Sequence, residues 1–173
     1  MEFLNSIKEL IPDYAKDIRL NIDGTIARSS LEGNDAVGVA LAAAFAAKSR
    51  PLIDIFLASG ALSPEESHAV LTASALMGMN NVWYPYVEMA DDADLKGQPA
   101  QLRMNAYATN GGVDKRRFEM YALAASIVGK CHFCVKSHFE LLQKEGMSSL
   151  QLRDVGRIAA VINAASQVIA ASK

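Results

Sequence analysis

The chain has 173 residues, 51% of them apolar, and a formal net charge of −2. That length suits one domain with a full core, here 1–173, and so small a charge excludes the broad basic surface of a nucleic-acid binder. Ala-rich segments mixed with Leu, Met, Glu and Lys favour helix, and no run has the alternation and β-branched content of a strand, so an all-α fold is expected.

The opening MEFLNSIKEL lacks the basic-then-apolar pattern of an export signal. The most apolar stretch, 37–47, is too short for the roughly 20 residues that span a bilayer. A cytoplasmic location without a membrane partner is therefore expected, and in that reducing compartment a cysteine pair is not a structural staple. Early helices are predicted at 3–10, 13–22, 35–48 and 52–58. Ser63-Pro64-Glu65-Glu66 puts Ser at the N-cap, Pro at the first helical position and Glu at the third, a strong start signal. Pro85 predicts a kinked or interrupted helix, and 91–99 reads as a loop. The aromatic, apolar segment 80–89 predicts a contact between subunits, with Trp83, Tyr84 and Tyr86 near it.

Asp114 is the predicted cap of a helix through Phe118 and Ala125 that stops at Gly129. Another helix follows from Cys131 to Glu145, with Gly146 as its stop. Ser148 with Gln151 makes a capping box for a last helix ending near Ala171. A shift of 51 residues lays Gly60 on Gly111, Ser63 on Asp114, Ala73 on Ala124 and Gly78 on Gly129. It suggests two weakly similar helical-hairpin halves, about 58–90 and 109–141, of which only the second carries thiols.

The chemistry concentrates in Gly129-Lys130-Cys131-His132-Phe133-Cys134-Val135-Lys136-Ser137-His138. Cys131 and Cys134 are the only cysteines. Their spacing puts both sulfurs on one helix face, with His138 one turn beyond Cys134. An imidazole there can take the thiol proton. The helix N-terminus, Lys130 and Lys136 also favour thiolate. A structural zinc site wants four ligands, for which three histidines in the chain (His68, His132, His138) and this spacing are a poor match. Covalent haem attachment needs His where Val135 stands. An inert buried thiol pair, a non-redox lyase and a binding or assembly protein with a vestigial site are the alternatives, and none calls for this spacing with a trailing His. Glu119, on the preceding helix, sits at the edge of an apolar stripe. Spacing alone makes it a solvated charge, whereas a chain reversal at Gly129-Lys130 would turn it toward His138 as an orienting carboxylate.

LIPDYAKDIRLNI, MGMNNVWYPY, QLRMNAYA and GVDKRRFEMYALAASIVGKCHFCVKSH resemble the alkyl hydroperoxidase D (AhpD) family over nearly the full length. Its wider superfamily includes carboxymuconolactone decarboxylases. The resemblance implies an all-helical homotrimer that reduces alkyl hydroperoxides and regenerates a peroxiredoxin, AhpC. Its electrons would come from dihydrolipoamide on a lipoyl-carrying acyltransferase served by lipoamide dehydrogenase, with no bound cofactor or metal. It further implies that Cys134 is the peroxidatic thiol, passing through a sulfenic acid and forming the mixed disulfide with AhpC. Cys131 would be the resolving thiol and proton donor, His138 the base, and Glu119 the relay. Some members carry His just before the second cysteine; Phe133 stands there, so His132 is left outside the main site.

Overall fold

The computed structural model describes residues 1–172. Among these, helix dominates at 78% and no strand occurs. The order is α1 (Leu4–Glu9), α2 (Lys16–Ile22), α3 (Gly33–Ala46), α4 (Arg50–Ala58), α5 (Pro64–Ala90), α6 (Ala93–Gly97), α7 (Asn105–Ala108), α8 (Lys115–Gly129), α9 (His132–Lys144) and α10 (Ser149–Ala171). Short 3-10 segments at Asp13–Ala15 and Asn110–Gly112 and a π-turn at Asp23–Ala27 join them.

Two helices form the centre. In α3 every residue from Asp35 to Ala44 is buried, and in α8 every residue from Phe118 to Ser126. Neither has a solvent face, because α3 packs on α4, α5, α8 and α10, and α8 on α3, α5, α9 and α10. Small residues make this possible. A Cβ on Gly38 of α3 would lie 2.4 Å from a ring carbon of Tyr121 on α8, so glycine permits that close approach. Polar ties join the layers. Arg117 Nε donates to Asp35 Oδ1 at 2.7 Å, and Arg117 Nη1 donates to Glu66 Oε1 at 2.5 Å, linking α8 to α3 and α5. Asp154 of α10 accepts from the Ser30 backbone N–H and hydroxyl at 2.8 and 2.9 Å, pinning the loop before α3.

The predicted caps form. Ser63 and Ser148 make full capping boxes with Glu66 and Gln151, and the Asp114 side chain accepts from the Arg117 N–H. Other expectations change. Of the two outcomes expected at Pro85, interruption does not occur, since α5 continues through it to Ala90. Part of the 91–99 loop is helix α6, whose Asp92 cap accepts from the Leu95 N–H. Helix α8 does stop at Gly129, as expected, and the left-handed residue that follows it is Lys130, at φ 56°. Gly129 also serves close approach: a Cβ there would lie 2.1 Å from Asn81 Nδ2, which donates to the Ala125 carbonyl at 3.0 Å.

The caps at Ser63 and Asp114 stand 51 residues apart, as the offset predicts. The glycine stops do not correspond, since Gly78 lies inside α5 while Gly129 closes α8. Residues 64–90 are one helix, whereas 115–129 and 132–144 are two. An isolated glycine within a helix costs only about 1 kcal/mol, which packing readily outweighs.

Candidate active site

The site is built where α8 turns into α9. Lys130 adopts the left-handed conformation, and the N–H groups of Lys130 and Cys131 return to carbonyls of Ser126 and Ile127, closing the end of α8. Cys131 is the N-cap of α9, and its Sγ accepts from the Cys134 N–H at 3.2 Å. Cys134 thus lies in the first turn, where unpaired amide groups and the helix dipole favour a sulfur anion. The two cysteines are joined as a disulfide, with Cα atoms 5.3 Å apart. Both are buried.

The tight turn folds α9 back along α8 and brings His138 against Glu119. His138 Nδ1 lies 2.6 Å from Glu119 Oε2, and the pair is 6% and 1% exposed. Glu119 is therefore no solvated helix charge. The stripe argument fails because α8 is wrapped on every side. The carboxylate has a second partner that the sequence reading missed: Tyr107 of α7 donates from Oη to Glu119 Oε1. Burial first, and then the bond to Glu119, push the Tyr107 phenol well above the ordinary tyrosine range, so it keeps its proton. The other imidazole nitrogen, His138 Nε2, lies 3.2 Å from Met77 Sδ of α5 rather than on a cysteine sulfur.

Cys134 and His138 both line a cavity of about 320 Å³, together with Asn80, Tyr84, Tyr107 and Phe133. Tyr84 and Phe133 stack with ring centroids 4.3 Å apart. The same two residues help line a larger, mainly apolar cavity of about 690 Å³ that also includes Trp83, Val87, His132 and Lys136. The structure thus brings Cys131, Cys134, His138 and Glu119 together. His132 is exposed, with Nδ1 3.9 Å from Glu88, and stands apart from the relay. Lys136 is also exposed and faces Glu140 at 3.9 Å, so water screens its influence on the sulfurs. Among the described residues no three His, Cys, Asp or Glu side chains are grouped to hold a metal.

Residues 93–173 match the model of the carboxymuconolactone decarboxylase family. Over almost the whole chain, similar proteins bear the name alkyl hydroperoxide reductase AhpD. The one from Coxiella burnetii (strain Dugway 5J108-111) is 39% identical over 170 residues, covering 95% of this chain and 96% of that protein. Those from Rhodospirillum centenum and Hyphomonas neptunium are each 41% identical, covering 96% and 97% of this chain and 90% and 94% of theirs.

Proposed function

The chain belongs to the alkyl hydroperoxide reductase AhpD family, and we propose that it is a thiol peroxidase of that kind, with Cys134 as the peroxidatic sulfur. The observation that carries this reading is the buried Glu119–His138 pair beside the cavity that Cys134 lines. In the dithiol form His138 takes the Cys134 proton, directly or through one water. The thiolate attacks the outer peroxide oxygen, the O–O bond breaks, and the departing alkoxide takes a proton to leave as alcohol. Cys134 is then a sulfenic acid. The Cys131 thiol attacks it, an S–S bond forms, and hydroxide leaves with the Cys131 proton as water. The closed Cys131–Cys134 bond corresponds to this end point.

An external dithiol restores both thiols by exchange through a mixed disulfide and is itself oxidised. The proposed reductant is dihydrolipoamide on a lipoyl-carrying acyltransferase, reloaded by lipoamide dehydrogenase. The proposed recipient of electrons, besides the hydroperoxide, is the peroxiredoxin AhpC, through a mixed disulfide with Cys134. The proposed assembly is a cytoplasmic homotrimer.

The deciding experiment is turnover of an organic hydroperoxide by purified protein, with and without a dihydrolipoyl domain, and then with oxidised AhpC. Consumption that depends on the dihydrolipoyl domain and on both cysteines is expected. Absence of turnover in every combination would leave a lyase or binding role on the same fold.

A further inference from the structure

We infer that Tyr107 is a positioning residue of the Cys134 relay, setting through Glu119 how firmly the Glu119–His138 pair holds a proton. This rests on the reading of His138 as the base and adds a residue that acts on the carboxylate rather than on the thiol.

The Glu119 carboxylate is sealed from water, so its negative charge is answered only by the groups that touch it. Its two oxygens have separate partners: Oε1 accepts from Tyr107, and Oε2 faces His138. The phenol is itself held. Its ring meets Phe118 edge-on at 5.7 Å, and its backbone N–H returns to the Met104 carbonyl. At the far end Met77 Sδ packs 3.2 Å from His138 Nε2, the nitrogen that Glu119 leaves free. The order Tyr107–Glu119–His138–Met77 thus fixes the carboxylate and the imidazole at both ends.

Of the other charged groups nearby, Lys115 also feels the charge of Glu119, after that of Glu145, and the rest are engaged elsewhere. Lys115, on α8 itself, bonds Glu145 at 2.8 Å. Glu66 of α5 and Asp35 of α3 face Arg117. Asp154 of α10 faces Arg153 and Arg157. From α9, His138 and Cys134 are the titratable groups at this corner, and α5 presents Met77.

A hydrogen bond donated to one carboxylate oxygen disperses its negative charge. Without Tyr107 the charge concentrates on the oxygen facing His138, and the imidazole gives up its proton only at higher pH. A base must be free of its proton to accept the one on Cys134. The acid limb of Cys134 reactivity should therefore move up by about one pH unit, given the strength of a hydrogen bond to a buried charge.

The test uses reduced full-length protein in a Cys131→Ser background, so that Cys134 alone reports. Its alkylation rate by iodoacetamide is followed against pH, with Tyr107→Phe, Glu119→Gln, His138→Ala and the Tyr107→Phe/Glu119→Gln pair. A further protein carries 3-fluorotyrosine at position 107, a stronger donor of nearly the same shape. Tyr107→Phe should raise the midpoint by about one pH unit, 3-fluorotyrosine should lower it, and Tyr107→Phe should add nothing once Glu119 is Gln. The proposal is overturned if His138→Ala displaces the profile while Tyr107→Phe or the fluorinated residue leaves it in place. It is equally overturned if the Tyr107→Phe displacement survives in the Glu119→Gln protein. If Tyr107→Phe does not fold, the fluorinated protein decides alone. A profile unmoved by His138→Ala would remove the base itself, and the role of Tyr107 with it.

Discussion

Each cysteine has a different job in the proposed cycle, and single substitutions separate them. Cys134→Ser should abolish both hydroperoxide reduction and AhpC recycling. Cys131→Ser should leave a Cys134 that still oxidises but cannot close the ring, so that a dimedone-type reagent traps sulfenic acid at Cys134 by mass spectrometry. Trapping chiefly at Cys131 in the Cys134→Ser protein would exchange the two roles. His138 and Glu119 should behave as one unit. Loss of general-base assistance predicts a fall of roughly 100- to 10,000-fold in kcat/KM for His138→Ala. Glu119→Gln should cost less and add little on top of it. A simple product of the two losses would mean that the residues act independently. The thiols and His138 were visible in the sequence because they lie within one helix, where spacing alone fixes their neighbourhood. Tyr107 and Met77 were not. Their partners lie 12 and 61 positions away, and Tyr107 sits in a four-residue helix without a side-chain cap.

At the scale of elements, the long helices with polar starts were legible, since a cap announces itself within four residues. The short α6 and the unbroken passage of α5 through Pro85 were not, because neighbouring packing decides both. Glu119 is the instructive case. An apolar stripe marks a buried face only on a helix that also has a wet one, and α8 has none. The tie between α10 and the loop before α3 gives a prediction at this scale. Burial would raise the Asp154 carboxyl, but the Ser30 N–H and hydroxyl and the Arg153 and Arg157 guanidinium groups outweigh it and hold the group at about 2. A folded value below the ordinary 3.8 stabilises the fold at every pH above about 4 and is lost as pH falls toward 2. The difference corresponds to about 2 kcal/mol. Asp154→Asn should therefore lower unfolding stability by about that amount at pH 7. The gap to the unsubstituted protein should close between about pH 4 and 2 in urea titrations.

At the scale of the molecule, the outer face of α5 carries a group of exposed apolar side chains. Val82, Tyr86 and Met89 are 70%, 50% and 78% exposed, with Leu102 beside them in the same shallow cavity as Val82 and Tyr86. Tyr84 lines the cysteine cavity and stacks on Phe133. An apolar patch of this kind suits a contact between copies, and the proposed trimer should bury it. Light scattering at micromolar protein should give three times the chain mass, and Val82→Asp with Met89→Asp should shift the protein toward monomer. A monomeric mass for the unsubstituted protein would count against the trimer.

The tie between Ser30 and Asp154 spans 124 positions, and this matters for how the protein is made. At about 5 to 20 residues per second, a ribosome needs roughly 6 to 25 s to reach the second partner after the first. For much of that interval α3 is already made while α8, and then α10, which pack on it, are not. The nascent chain must therefore carry an incompletely covered Ala-rich helix until its last helix leaves the exit tunnel. Completion of the core is a late, nearly single event, and a messenger broken upstream of α10 yields a polypeptide suited to chaperone capture rather than to partial activity.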